Sequence, residues 1–126
     1  MPDSAQICDR TSGVPLLGAP HLAGLRRHLR ELLGGEDEEA VARALVVADT
    51  LASLACRHAH PPFTVRLRYA EGVSLRAEIR ELRCGTLPGH AALRLPLHIL
   101  DCLARTWCVD LQDHHGVLVA EVDLAG

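Results

Sequence analysis

Between an acidic cluster at residues 36–39 and the proline pair Pro61-Pro62, one stretch is apolar on almost every turn: Val41, Ala44, Leu45, Ala48, Leu51, Ala52 and Ala55. Apolar residues at this spacing predict a helix over about 40–59. A helix so apolar around its circumference must be buried, which requires other elements on more than one side of it. The acidic cluster marks its start, because carboxylates complement the positive end of the helix dipole. The prolines mark its end, since a residue preceding proline avoids the α region. Any fold for this chain has to be assembled around this helix.

The neighbouring segments supply the cover. Leu22, Leu25, Leu29, Leu32 and Leu33 recur at helical spacing and predict a first helix over 21–33, with Pro20 suited to its first turn and Gly34-Gly35 ending it. Residues 63–69 and 73–80 alternate with period two and predict two strands joined by Ala70-Glu71-Gly72, with arginines on their polar face. A third helix is expected over 93–106, with Leu97, Leu100, Leu103, Ala104 and Trp107 on one stripe. Val14-Pro15-Leu16-Leu17 reads as an edge strand, where proline is tolerated, and residues 117–122 as a last strand. Another short strand is possible at 108–111. The fold class expected is therefore an α/β two-layer sandwich. Its mostly antiparallel mixed sheet carries three helices on one face. Residues 1–12 are expected to be flexible, and 13–126 to form a single domain.

The chain has 126 residues, 48% of them hydrophobic but only 2% aromatic, so its core must be built from Leu, Val, Ala and Ile. At this size folding hides roughly two-thirds of the unfolded surface, enough for a core without disulfide support. The five cysteines are odd in number and scattered, which fits reduced core residues better than a disulfide framework. All 13 basic residues are arginine, yet the net charge is −3, which argues against a general nucleic-acid binder. The N-terminus lacks the basic and apolar regions of a signal peptide, and no apolar run approaches a membrane span. A soluble cytoplasmic protein is expected.

Four segments carry a resemblance. Residues 49–59 read Asp-Thr-Leu-Ala-Ser-Leu-Ala-Cys-Arg-His-Ala, and residues 77–81 read Ala-Glu-Ile-Arg-Glu. Residues 97–109 run from Leu97 through Asp101 and Trp107 to Val109, and Ala120-Glu121-Val122 lies near the end. In this order and at these separations they resemble the small anti-sigma-factor serine kinases and their actinobacterial relatives, over roughly residues 12–124. The resemblance implies the histidine-kinase-like (Bergerat) ATPase fold.

The departures from that family fall on its chemistry. The family's helix-two glutamate, a base near the attacking group, aligns with Thr50, and its magnesium-holding asparagine aligns with Leu54. A leucine cannot ligate a hard cation, which takes oxygen ligands. The adenine-recognising aspartate aligns with Glu81, a longer carboxylate. The glycine-rich phosphate segment aligns with Arg94-Leu95-Pro96-Leu97, where Pro96 has no N–H to offer and the bulk of Arg94 and Leu95 replaces glycine. The resemblance then implies a non-catalytic regulatory protein acting through protein contacts, with no cofactor and neither ATP nor magnesium. The vestigial pocket would be formed by Thr50, Leu54, Glu81, Arg94 and Pro96. Its partner would be a sigma factor, an anti-sigma antagonist or a second copy of the chain. An active kinase with an unusual pocket, and an enzyme or binding protein reusing the cavity for another small molecule, are the alternatives.

The partner surface expected is the stripe Arg26, Arg27 and Arg30 on the polar side of the first helix. Cys56, His58 and His60 read as helix-end residues rather than a metal site, because they lack a second chelating pair at zinc spacing. Cys84 is expected to be the accessible thiol in the loop beside the vestigial pocket, with Cys56 and Cys102 packed between helices. His114 and His115 fall in a predicted turn, and no base is placed to make Cys84 a nucleophile.

Overall fold

A computed structural model describes residues 9–84, 89–111 and 115–125. The chain begins with strand β1 (Asp9–Leu16), makes one 3-10 turn (Ala19–His21), and continues into helices α1 (Leu22–Leu32) and α2 (Glu38–His58). Strands β2 (Phe63–Ala70) and β3 (Ser74–Leu82) follow, then helix α3 (His90–Leu103) and strands β4 (Thr106–Asp110) and β5 (Gly116–Asp123). The five strands form one sheet in the order β1-β2-β3-β5-β4, and every neighbouring pair is antiparallel. The expected mixed sheet is thus fully antiparallel between its named strands.

Helix α2 packs on β3 and β5 at the centre of the sheet, with α1 against one flank and α3 against the other. Its start is capped by Asp37, whose carboxylate accepts from the Glu39 N–H at 3.2 Å, and Glu38 and Glu39 fill its first turn. Ala44, Val47, Ala48, Leu51, Ala52, Leu54 and Ala55 are all at most 1% exposed, so this is the most deeply buried helix. Facing it, Val65, Leu67, Leu75, Ala77, Ile79, Leu118, Ala120 and Val122 present the covered side of the sheet. The small alanines of α2 let the helix approach the sheet closely, and the leucines fill the remaining space.

Several boundaries differ from the sequence expectation. Strand β1 starts at Asp9 inside the segment expected to be flexible, because Arg10 and Ser12 register against Tyr69 and Leu67 of β2. Helix α3 starts three residues early, after Gly89, and ends at Leu103 because Ala104 is extended. Trp107, expected on the helix stripe, instead sits in β4 opposite Ala120, where it packs against the core from the sheet. Pro96 therefore lies within α3 rather than in its first turn.

The α1–α2 connection is tied to the β2–β3 hairpin by one carboxylate. The Tyr69 hydroxyl donates to Glu36 Oε2 at 2.5 Å, and the Gly72 N–H donates to the same oxygen at 2.8 Å. Gly72 turns the hairpin at φ 70, a left-handed backbone that glycine adopts without a Cβ clash. Burial first, then the Glu36 carboxylate, push the Tyr69 phenol up to about 12.

Candidate functional site

Among the described strands, β1 lies at an edge of the sheet, with β2 on one side and no described strand on the other. Between this edge and α1 lies a shallow groove of about 590 Å³, lined by residues that include Val14, Pro15, Pro20, His21, Arg27 and His28. Two imidazoles hold its walls together. His28 Nε2 lies 3.0 Å from Ser12 Oγ, and His21 Nδ1 accepts from the Leu17 N–H at 3.1 Å. Leu17, 62% exposed, leaves a large apolar side chain at the end of β1.

The three arginines expected here do not act alike. Arg26 turns back to α2, with Nη2 and Nε each 2.9 Å from Asp49 Oδ1, a part-exposed pair worth at most about 1 kcal/mol. Arg27 lines the groove, and Arg30 is exposed on the same helix. The stripe is thus reduced to Arg27 and Arg30, since Arg26 serves the α1–α2 contact.

The positions expected to form the vestigial pocket lie in different settings. Leu54 is 1% exposed and belongs to the core. Thr50 turns its hydroxyl back into its own helix, donating to the Val46 carbonyl at 2.7 Å. Arg94 is exposed, and Arg94 through Leu97 are helical, as the expected third helix has them, so the segment aligned with the family's phosphate loop is part of α3.

Glu81 is displaced by the backbone. Ile79 registers with Leu118 and Leu82 with Gly116, so β3 spends one residue more than β5 between them. Such a bulge inverts the alternation, giving the covered face to Leu82 and leaving Glu81 exposed. Glu81 takes φ 58, a left-handed conformation uncommon for a residue with a Cβ. Gly116 stands opposite, where a Cβ would be tight at 3.0 Å from Leu82 Cβ.

The thiols reverse the expectation. Cys84 is 5% exposed and sits beside Ala59 in an isolated bridge, whereas Cys102 is exposed on α3, with Sγ 3.6 Å from His98 Nε2. The loop that was to expose Cys84 is anchored there, because the His60 N–H donates to the Arg83 carbonyl at 2.8 Å. Cys56 is half-buried against the core, and burial, then Asp49, raise its thiol above the ordinary range. His58 is lowered by burial and by Arg57. Among the described residues no group of three or more His, Cys, Asp or Glu side chains is placed to hold a metal ion. His115 is exposed, and His114 lies outside the described residues.

The uncovered face of the sheet carries a second concavity, of about 630 Å³. Arg66, Arg68 and Arg76 line it together with Thr11, Ser74, Glu78 and Glu121. The signal was present in the sequence as arginine at alternate strand positions. What the sequence could not give was the register that sets two strands' arginines side by side.

No family model matches this sequence, and no curated protein matches it significantly. No helix among the described residues is long and apolar enough to cross a membrane.

Proposed function

We propose that this chain is a non-catalytic regulatory protein-binding domain similar to a cytoplasmic anti-sigma factor, on a histidine-kinase-like ATPase fold. The observation that carries this reading is the β1 edge with its adjoining groove. A strand edge with no described neighbour, an exposed leucine at its end and an arginine beside it offer backbone, apolar and charged contacts in one place. The partner is a sigma factor, an anti-sigma antagonist or a second copy of this chain. Arg27, at the rim, orients the encounter and sets its rate more than its affinity.

The loss of nucleotide chemistry is supported by Leu54. A magnesium-binding helix would present an oxygen ligand at this position, and here an aliphatic side chain is packed into the core. A domain that keeps its fold while losing such a site is retained for its surfaces.

The reading is tested with purified protein and sigma factors encoded by the same genome. Light scattering should show self-association or a complex with one of them, and Arg27→Glu should weaken it while leaving the melting temperature unchanged. A monomer that binds none of them, or a contact indifferent to Arg27→Glu, would refute it.

A further inference from the structure

The uncovered sheet face has a charge pattern that the β1–α1 surface does not explain. Arg76 stands between two carboxylates, 3.6 Å from Glu78 and 3.7 Å from Glu121, and Arg80 pairs with Glu78 at 2.8 Å. The Arg80 guanidinium, then the Arg76 charge, hold the Glu78 carboxyl below its ordinary range against the opposing effect of burial. Both carboxylates of the concavity are thus engaged by β3 arginines. On β2 the guanidiniums of Arg66 and Arg68 project from the same face, both exposed. On β1, Thr11 stands opposite Arg68, and Gly13 opposite Arg66 adds no side chain, so the β1 flank of Arg66 is open; on β3, Glu78 stands opposite Arg66 and Arg76 opposite Arg68. Each guanidinium has five N–H donors, so Arg68 can keep a contact within the chain and still bind another group. The remaining acids on this face are Asp9, which registers with Ala70 at the start of β1, and Asp110 and Asp123 at the ends of β4 and β5.

We infer that the concavity on the uncovered face binds an acidic polypeptide segment in extended conformation, with alternate carboxylates paired to Arg66 and Arg68. Residues two apart on a strand lie roughly 6.6 Å apart on the same face, and alternate side chains of an extended peptide repeat at the same distance. Guanidinium and carboxylate then pair fork to fork. A nucleic-acid strand could match the spacing, but not the chemistry of the surroundings. The three aromatics are all on the core side: Phe63 and Tyr69 are buried, and Trp107 registers with buried Ala120. The concavity therefore offers no aromatic stacking platform for bases.

The probe is a fluorescently labelled peptide of alternating glutamate and valine, followed by anisotropy at low salt. The controls are a peptide of the same composition with its glutamates in one block, and labelled oligothymidylate of equal charge. The alternating peptide should bind at least about fivefold more tightly than either control, and Arg66→Ala and Arg68→Ala should each weaken it about tenfold. Arg66→Lys keeps the charge but loses the fork, and should lie between. Arg27→Glu should leave it unchanged, which separates failure here from failure of the β1–α1 reading. Melting temperatures of all four variants should match the parent, since these side chains are exposed. Absence of binding at millimolar peptide, equal affinity for the block peptide or oligothymidylate, or indifference to Arg66→Ala would each overturn the inference.

Discussion

Leu54→Asn restores the residue type with which the resembled kinases hold magnesium, and the packing around position 54 determines what the change should cost. Leu54 is 1% exposed in the continuous core beneath α2, where its neighbours along the helix include Leu51 and Ala55. Removing a buried leucine side chain from that setting forfeits about 1.5–3 kcal/mol of apolar burial. The asparagine amide would enter the same apolar setting, and an unpaired buried amide costs about 1–3 kcal/mol more. A total of about 2.5–6 kcal/mol is expected, a large part of the roughly 5–15 kcal/mol that holds a domain of this size together. The melting temperature should fall by roughly 10–24 °C.

The assay is urea unfolding followed by circular dichroism, with thermal shift in parallel, with and without Mg-ATP. Leu54→Ala serves as reference, because it loses the burial without adding the amide, and should be the milder variant. Mg-ATP should stabilise neither the parent nor the variant, whereas ligand at a hundred times its dissociation constant would add about 2.7 kcal/mol. Two results would refute the reasoning. An asparagine variant within about 0.5 kcal/mol of the parent would mean that position 54 faces open space. A magnesium-dependent gain in the variant would mean that a nucleotide cavity persists and needs only its ligand.

Alkaline titration gives an independent check on Glu36 and Tyr69. The folded phenol, at about 12, lies above its unfolded value near 10, so its contribution is complete below pH 10 and is lost as pH rises from 10 to 12. Stability should fall by about 2–3 kcal/mol across that window, with the sole tyrosine ionising near 12 or on unfolding; phenolate absorbance appearing near 10 in the folded protein would contradict it. Among the cysteines, exposed Cys102 and Cys108 should react with a disulfide reagent before Cys84, which should wait for opening of the fold. Mass spectrometry of partly labelled protein reads the order, and early labelling of Cys84 would show that its segment is not packed as described.

The elements that carry their own periodicity were legible in the sequence. Helix α2 follows from its apolar circumference and its stops, and β2 and β3 from their alternation. What escaped is set by partners distant in sequence. The run Asp9–Gly13 has no apolar alternation, and it becomes strand because β2 supplies a backbone to pair with. Trp107 continues the spacing of the α3 stripe, so no local signal separates helix from β4; pairing with β5 decides it. Glu81 continues the alternation of β3 by count alone, and only the bulge against Gly116 reveals that it has left the covered face. The same blindness exchanged the environments of Cys84 and Cys102. A loop thiol is buried when the chain folds back over it, and a helix thiol is exposed when its face lies away from the neighbouring helix.

Among the described residues, no charged side chain is buried, and the Tyr69 hydroxyl is spent on Glu36. A small-molecule pocket under α2 would need a few convergent polar groups in an otherwise apolar recess. Here Leu54 contributes packing, Thr50 bonds its own helix, and Glu81 is turned out. Among the described residues two surfaces gather polar and charged groups, and β1 belongs to both. Its residues Val14 and Pro15 line the groove against α1, and Thr11 lines the concavity beside Arg68. A change in β1 itself therefore cannot separate the two binding readings, whereas Arg27 on α1 and Arg66 on β2 can, because each serves one surface only.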